Sequence, residues 1–225
     1  MKEAPRRDHG RDGFREHGYR LFPGFLSAAE TERLCGQVRE QTRFQTVAAK
    51  AGMNLTYQVV DGFRLRQELP DLFALTSGRL QETAQALVEK PIELMRDPKR
   101  SVRLQCYRRK TEGFLWHLDG GTYGALLTLV NTNRGATDVL SPRLSRILKP
   151  APYLLFPFQR LLELGRPTRI VTAPGDLLIV HGGAVIHRGV TQLDEGERIV
   201  LAASYDPLDR KKSRLWEWLA RRLNY

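Results

Sequence analysis

The sequence predicts an α+β protein with a mainly β core, in which helices support a β-sandwich or barrel. Eight short runs that alternate in polarity or are rich in β-branched residues follow Pro98, bounded by Gly, Pro, Asn and Asp. The first hundred residues instead show helical spacing of apolar side chains. A chain of 225 residues suits one sizeable core. We therefore expect one domain over 1–225, with helical support and edge strands in 1–100, a β core in 101–206 and a final helix in 207–225.

Composition and charge exclude several classes of protein. With 41% hydrophobic and 27% charged residues, the chain resembles an ordinary soluble globular protein. The net charge of +11 favours anionic partners, which include nucleic acid, phosphorylated or carboxylated metabolites and acidic membrane surfaces. The basic residues form no unbroken tract, which favours a solvated basic surface over a dedicated nucleic-acid patch.

Cysteine usage and hydropathy indicate a cytoplasmic protein. Cys35 and Cys106 are far apart and in no CxxC arrangement, which argues against a disulfide framework or a cysteine-rich zinc site. The first ten residues are polar, and no stretch reaches about 18 uninterrupted apolar residues. We therefore expect reduced thiols, no secretion and no transmembrane segment.

The elements of the first half are predicted in order from local patterns. Ser27-Ala-Ala-Glu30 is a capping box, which predicts a helix over 28–43. The other predicted elements are a short helix and an edge strand in 14–25, a strand pair in 53–66, and one or two helices in 70–90 that break near Ser77-Gly78.

The second half contains the strand-like runs and one long interruption. The runs are 101–109, 114–119, 125–132, 137–141, 168–173, 176–181, 184–191 and 198–206. The apolar, proline-punctuated insertion 143–166 is either a helix packed outside the sheet, a lid over a pocket or a dimer contact. An apolar stripe in 213–224 predicts an exterior helix, with a membrane-surface helix as the minor alternative. The insertion and this helix are candidate surfaces for a homodimer.

His117-Leu-Asp119 is the first candidate site. On a strand, residues two apart project from one face, so the imidazole and the carboxylate would lie side by side. One further histidine would complete the two-His-one-carboxylate triad that binds a first-row divalent metal and leaves open coordination positions. Without that third residue the motif is weak, since a polar strand end has the same pattern.

His181 and His187 are the two candidates for the third ligand. If Asp194-Glu195 is the centre of a hairpin turn, His187 lies opposite Ala202 and Thr191 lies opposite Arg198. His187 and Arg198 would then face one cavity. We therefore favour His187 as the ligand and expect His181 to line the pocket as a polar residue.

Arg198 requires an anionic partner if it lies inside an apolar barrel. A guanidinium grips a carboxylate with two hydrogen bonds, so a dicarboxylate would bridge the metal and Arg198. Tyr107, on the strand predicted just before that of His117 and Asp119, would add a hydroxyl to that acid. Gln105 and Thr128 are further residues that we expect to line the pocket.

These motifs together resemble the Fe(II)/2-oxoglutarate-dependent oxygenases, in the branch of prolyl-4-hydroxylase-like enzymes and small-molecule hydroxylases. The resemblance is carried by Gln105-x-Tyr107, His117-x-Asp119, Gly175-Asp-Leu-Leu-Ile, His187-Arg-Gly-Val and Gly196-Glu-Arg198. The spacing from the distal histidine to the arginine is its most discriminating part. It implies a double-stranded β-helix, or jelly roll. Val200 stands where many members have serine or threonine, and 134–137 contains one glycine where a pair is common.

The resemblance implies a ligand set and a reaction. His117, Asp119 and His187 would bind Fe(II), Arg198 would grip the distal carboxylate of 2-oxoglutarate, and Tyr107 would assist. With O2, such an enzyme hydroxylates a C–H bond of a small organic molecule, anionic or apolar, and releases succinate and CO2, here in specialised metabolite biosynthesis. The carboxylate at Asp119 disfavours halogenation, because halogenating members have a small residue there.

Two alternatives stay open from the sequence. The +11 charge also fits an oxygenase that acts on nucleic acid or protein. A nucleic-acid demethylase would be expected to carry a second arginine shortly after Arg198, and the stretch Arg198-Ile-Val-Leu-Ala-Ala-Ser lacks one, so no stable nucleic-acid complex is expected. The other alternative is a non-catalytic basic β-barrel that binds an anion and uses its histidines structurally.

Overall fold

Seven helices and eleven strands make up the part of the chain that the computed structural model describes, which is residues 10–47, 56–149, 152 and 159–210. The helices are α1 Gly10–His17, α2 Ala28–Gln41, α3 Gly62–Glu68, α4 Pro70–Ser77, α5 Arg79–Val88, α6 Pro98–Ser101 and α7 Pro142–Ile147. The strands are β1 Tyr19–Phe22, β2 Gln45–Val47, β3 Tyr57–Asp61, β4 Ile92–Leu94, β5 Val102–Tyr107, β6 Tyr123–Asn131, β7 Ala136–Val139, β8 Thr168–Val171, β9 Leu177–Val180, β10 His187–Val190 and β11 Arg198–Pro207. A 3₁₀ helix, Gln159–Gly165, precedes β8.

Two antiparallel sheets form the centre of the described structure. The larger sheet has the order β1, β9, β6, β11, β5, β3, β2, and β4 pairs with β11. The smaller sheet has the order β10, β7, β8. Side chains of both sheets line one cavity, with Gln105 and Arg198 from the larger sheet and Thr137 and His187 from the smaller. This arrangement confirms the predicted jelly roll with helices packed on its outside.

The long strand β11 separates the helical core from the cavity. Ile199, Leu201 and Tyr205 project to one side and join the main hydrophobic core, which includes side chains of α2, α4 and α5. The alternate residues Arg198 and Val200 project to the other side and line the cavity. The Tyr205 hydroxyl donates a hydrogen bond of 2.6 Å to a helical carbonyl, at Thr76, which ties the helices to the sheet.

The first half of the chain follows the predictions except after β3. The capping box is present: the Ser27 hydroxyl accepts from the Glu30 amide at 3.2 Å, and the Glu30 carboxylate accepts from the Ser27 amide at 2.9 Å. The break between α4 and α5 falls at Gly78, as predicted. Of the strand pair predicted over 53–66, residues 53–55 lie outside the described residues, 57–61 form β3, and the prediction is wrong beyond Asp61. The carboxylate of Asp61 accepts from the amides of Phe63 and Arg64, so it caps α3 and ends the strand.

The predicted hairpin between the last two strands is wrong. β10 pairs with β7, so that His187 lies opposite Val139, whereas β11 pairs with β5 and β6, so that Arg198 lies opposite Tyr107. The intervening segment crosses from one sheet to the other, and its amides at Gln192 and Leu193 both donate to the Asn133 carbonyl. His187 and Arg198 still meet in one cavity, because they approach it from opposite sheets.

The strand predicted over 114–119 is reduced to a single bridge. His117 pairs with His187 in an isolated antiparallel bridge, and the flanking residues are irregular. The predicted alternation nevertheless holds for Trp116 and Leu118, which pack with Leu140 and Ile186 in a separate hydrophobic cluster.

The described parts of the insertion pack on the outside of the smaller sheet. Leu162, in the 3₁₀ helix, is buried against the cluster of Trp116 and Leu140, and Leu144 of α7 packs against the same cluster. None of the described residues in 143–149, 152 and 159–166 lines the cavity, so these parts match the packed-helix alternative. Residues 150–151 and 153–158, and the helix predicted over 213–224, lie outside the described residues. Among the helices that are described, none is long and apolar enough to cross a membrane.

Candidate metal centre

Two imidazoles and one carboxylate converge in the cavity. The Nε2 atom of His117 lies 3.4 Å from Oδ1 of Asp119, and Nε2 of His187 lies 3.6 Å from Oδ2 of the same carboxylate. One donor atom from each of the three residues lies within 4.8 Å of the others. The sequence motif and one of the two candidate histidines are therefore brought together in the donor set of a two-His-one-carboxylate site.

Backbone pairing fixes these three side chains relative to one another. The amide of His117 donates to the His187 carbonyl at 3.0 Å, and the amide of His187 donates back at 3.1 Å. The Asp119 amide donates to the Gly182 carbonyl at 2.9 Å. The irregular segment 114–119 is thus held against β10 and the loop before it, which sets the spacing of the donor atoms.

The hydrogen bonds of the two imidazoles engage Nδ1 and direct Nε2 toward the carboxylate. Nδ1 of His117 lies 2.7 Å from the Leu115 carbonyl, and Nδ1 of His187 lies 3.0 Å from the Val185 carbonyl. A carbonyl oxygen only accepts, so each Nδ1 carries a proton, and Nε2 is the nitrogen left to bind a metal ion. Metal-binding histidines commonly have their second nitrogen fixed in this way. The tautomers therefore fit a metal ion.

The electrostatics of the cluster favour a cation at the same point. Burial acts to raise the pKa of Asp119, but the neighbouring His187 and His117 hold it well below its usual range. Burial acts to lower the pKa of His187, and Asp119 outweighs this effect and raises it. An ionised carboxylate thus stabilises positive charge at the Nε2 atoms, and a divalent cation would supply that charge.

Arg198 lies in the same cavity and has an unsatisfied donor. Only 2% of its surface is exposed. One terminal nitrogen donates to the Ala136 carbonyl at 2.8 Å and the other to the Thr137 hydroxyl at 3.2 Å, whereas Nε has no partner. Both partners are neutral, so the buried guanidinium has no negatively charged hydrogen-bond partner among these groups. This is costly unless an anion binds, which is the chemistry that a carboxylate ligand provides.

Tyr107 and Gln105 stand beside Arg198 on the cavity wall. Tyr107 is opposite Arg198 in the sheet, and its hydroxyl donates to the Gln105 side-chain carbonyl at 2.6 Å. Burial raises the pKa of the Tyr107 hydroxyl well above its usual range, so it remains a protonated donor. Both residues line the cavity, as the sequence predicts.

Two glycines make room for the charged side chains. A Cβ at Gly135 would lie 2.3 Å from Cδ of Arg198, and a Cβ at Gly182 would lie 2.0 Å from Oδ2 of Asp119. The single glycine in 134–137 is therefore the position over which the arginine passes. Gly182 similarly gives the carboxylate its place.

His181 and Thr128, which the sequence was expected to place at the pocket, make their contacts elsewhere. The ring of His181 packs 6.2 Å from Phe14 and 5.0 Å from Tyr123, on the side of the helical layer. The Thr128 hydroxyl is fully buried and lies 2.7 Å from that of Thr172, so the space beside it is filled. Neither belongs to the described lining of the cavity.

A buried ionic network behind His187 was not foreseen from the sequence. The Asp138 carboxylate is fully buried and receives bonds of 2.7 and 2.9 Å from Arg169 and of 3.1 Å from Arg188. These three residues lie directly opposite one another across β8, β7 and β10. Arg188 also stacks on Trp116, 4.5 Å from the ring centre. The network holds β10, and hence His187, on the smaller sheet.

Two arginines of the cavity were also missed. Arg103 and Arg100 line it together with the residues above. Arg103 was recognisable in the sequence, because it is two residues before Gln105 and four before Tyr107 and so shares their face of β5.

Comparison with known proteins finds solved structures with the same fold but no matching sequence family. No family model matches the chain, and no curated protein matches it. Solved structures do match. The α-ketoglutarate-dependent epimerase SnoN from nogalamycin biosynthesis aligns with a TM-score of 0.64 and 20% identity over 88% of this chain and 81% of its own.

Two further structures show the same similarity. HygX from Streptomyces hygroscopicus, solved with nickel and 2-oxoglutarate, has a TM-score of 0.62 and 17% identity over 89% of this chain and 87% of its own. An oxidoreductase of the 2OG-Fe(II) oxygenase family from Burkholderia pseudomallei has a TM-score of 0.64 and 16% identity over 95% of this chain and 97% of its own. The chain therefore has the fold of the 2-oxoglutarate-dependent Fe(II) oxygenases.

Proposed function

We propose that this protein is an Fe(II)/2-oxoglutarate-dependent oxygenase that oxidises a small organic molecule. The observation that carries the proposal is the meeting of two features in one cavity. These are the cluster of His117, Asp119 and His187, and the buried guanidinium of Arg198 with an unpartnered Nε. A non-catalytic module has no need of both. Similarity to enzymes such as HygX, which was solved with nickel and 2-oxoglutarate, supports the same assignment.

Each residue has a defined task in this proposal. Nε2 of His117, Nε2 of His187 and the Asp119 carboxylate would hold the metal ion, and they leave other coordination positions open. When bound, iron and 2-oxoglutarate together supply the oxidising chemistry, in which O2 is consumed and the oxo acid is converted to succinate and CO2. The carbonyls of Leu115 and Val185 orient the two imidazoles by accepting from Nδ1.

Arg198 would bind the distal carboxylate of 2-oxoglutarate. Its terminal nitrogens are oriented by the neutral Ala136 carbonyl and Thr137 hydroxyl, so the charge of the guanidinium is left for that carboxylate. Tyr107 remains protonated and lies opposite Arg198, where its hydroxyl can turn from Gln105 to the cosubstrate. Val200 occupies the position two residues after the arginine and offers only an apolar surface there.

We propose that the reaction is a hydroxylation, although proteins of similar structure catalyse other reactions. SnoN is an epimerase, and SnoK, with a TM-score of 0.60, is a carbocyclase. All three reactions begin with oxidation at a C–H bond, so the metal residues do not distinguish them. Mass spectrometry does: hydroxylation adds one oxygen atom, ring closure removes two hydrogens, and epimerisation leaves the mass unchanged.

The proposal is tested by succinate formation from 2-oxoglutarate in the presence of Fe(II), O2 and ascorbate, which supplies the two electrons that a substrate would otherwise supply. We expect the wild-type protein to form succinate and His117→Ala to form none, because a ligand has been removed. His17→Ala is the matched control, since His17 lies on α1, outside the cavity. Equal succinate formation by wild type and His117→Ala would refute the proposal.

A further inference from the structure

The cavity has a second cationic end. Arg198 is opposite Tyr107 in the sheet, and Ala202 is opposite Arg103. Four residues along a strand span about 13 Å, so Arg198 and Arg103 lie at separate ends of the cavity wall. Arg100, in α6, lines the cavity with Arg103. The 2-oxoglutarate site proposed above accounts for Arg198 and leaves the other end without an assigned ligand.

The charge of the cavity wall is strongly positive. Its described lining contains three arginines, at 100, 103 and 198, and one acidic residue, Asp119. A divalent metal ion would add two positive charges, and 2-oxoglutarate is only a dianion. Asp97, which pairs with Arg100, offsets one of the arginines. One net positive charge therefore remains in the loaded site, and a ligand of opposite charge would be favoured there.

The end of the cavity near Arg103 has space for a ligand. Small residues line this part of the cavity, among them Ala202, which lies opposite Arg103, and Gly124 and Ser204, which pair with each other across β6 and β11. Arg103 is within electrostatic range of Asp119, which is one of the Coulombic influences on the pKa of that guanidinium, a pKa that burial lowers. A molecule that contacts Arg103 would therefore extend toward the metal centre.

Both arginines are held in position by their surroundings. Nε of Arg103 donates to the Lys99 carbonyl at 3.1 Å, and Nε of Arg100 lies 3.3 Å from the Asp97 carboxylate. Anchoring through Nε reduces the conformational entropy that each side chain loses when a ligand binds. Arg103 is assigned the main role because it lies on the cavity wall itself, on the same face of β5 as Gln105 and Tyr107.

We propose that the substrate carries an anionic group, a carboxylate or a phosphate, and that Arg103 binds this group at the end of the cavity opposite Arg198. Arg100, whose charge is partly offset by Asp97, has a smaller effect. The inference rests on the proposed function, since it assigns the Arg198 end to 2-oxoglutarate. Binding of the anion would fix the rest of the substrate beside the metal centre and determine which C–H bond is exposed to oxidation.

The test measures binding rather than turnover. Protein loaded with Ni(II) in place of Fe(II), with saturating 2-oxoglutarate to fill the Arg198 end, is titrated calorimetrically with phenylbutyrate, phenylbutanamide and phenylpropylphosphonate. We expect at least one acid to bind about 10-fold or more tightly than the amide, which is the range of a charge-assisted hydrogen bond. The relative affinity of the carboxylate and the phosphonate identifies the anion that the site prefers.

Three variants show which arginine produces the preference for the acids over the amide. Arg103→Gln is expected to abolish most of it, and Arg100→Gln to reduce it by a smaller factor. Arg79→Gln is the matched control, because Arg79 pairs with Glu30 on the surface and its replacement changes the net charge equally. An equal loss of preference in Arg79→Gln and Arg103→Gln would assign the effect to overall charge and overturn the inference.

The same titrations separate this inference from the proposed function. Failure of the wild-type protein to bind Ni(II) and 2-oxoglutarate would overturn the proposed function and this inference with it. If the cosubstrate binds but the acids bind no more tightly than the amide, or no probe binds, only the inference on Arg103 is overturned. Arg103→Gln is expected to retain the affinity for 2-oxoglutarate.

Discussion

Gly182→Ala should displace Asp119 and disable the metal centre. A Cβ at position 182 would lie 2.0 Å from Oδ2, 2.7 Å from Cγ and 2.9 Å from Cβ of Asp119. Rotating the carboxylate away relieves only the first two contacts, because the Asp119 Cβ itself is too close. The backbones of the two residues must therefore separate, although they are joined by the 2.9 Å hydrogen bond from the Asp119 amide to the Gly182 carbonyl.

The size of the effect follows from the loss of one donor in three. Overpacking of this kind costs about 1–3 kcal/mol of folding free energy. Loss of a supporting contact around a metal site already lowers affinity about 10- to 100-fold, so displacement of a ligand should lower it by roughly 100-fold or more. Calorimetric titration with Ni(II) measures the affinity, and urea denaturation of the metal-free protein measures the stability.

Gly120→Ala is the matched control for this experiment. The nearest heavy atom to a Cβ at position 120 is Sδ of Met95, at 3.9 Å, which is an ordinary contact. This variant adds the same methyl group next to Asp119 in the sequence and should bind Ni(II) as wild type does. A folded Gly182→Ala protein with wild-type affinity would show that the Asp119 carboxylate does not bind the metal.

Three further predictions concern stability and reactivity. Asp138→Asn should lower the free energy of unfolding by about 2–4 kcal/mol in urea denaturation, since it removes the buried carboxylate that Arg169 and Arg188 share, although Arg188 keeps a second partner in Glu163. An unchanged midpoint would contradict the ionic network. Tyr205→Phe should cost about 1 kcal/mol in the same assay through loss of the bond to the Thr76 carbonyl, and a neutral effect would show that this bond contributes nothing. Burial raises the pKa of Cys106 to about 12 from its usual 9.0, so the native protein should resist alkylation at this thiol at about pH 8. Rapid labelling of the native thiol would contradict its burial. Because the unfolded chain loses the thiol proton at lower pH than the folded protein does, the contribution of Cys106 to stability should be lost as pH rises from about 9 to about 12.

The local features of this fold are predictable from the sequence, whereas the path of the chain between the two sheets is not. The capping box at Ser27 and the break at Gly78 depend on contacts within a few residues, so they were predictable. The pairing of β10 depends on residues some fifty positions earlier, in β7, and the loop after it crosses to the other sheet instead of forming a hairpin. A sequence offers no comparable signal for such long-range pairing.

The same distinction applies to the site. His117 and Asp119 are two residues apart, and their shared direction follows from strand geometry, although the segment makes only one bridge. The choice of His187 over His181 was supported by a hairpin that does not exist. His187 faces the cavity because β10 returns along β7, and His181 is directed toward Phe14 by the turn that follows β9.

The most direct test of the account is an anaerobic titration of the metal-free protein with Fe(II) and then 2-oxoglutarate, followed by the visible charge-transfer band of the chelated metal. We predict a band in wild type and in His181→Ala, whose ring lies outside the cavity, and its loss in His187→Ala. Arg198→Gln should need roughly 10-fold or more additional 2-oxoglutarate to reach the same band, since a charge-assisted pair is removed. Absence of the band in folded, iron-loaded wild-type protein, or its persistence in His187→Ala, would contradict the proposed metal centre.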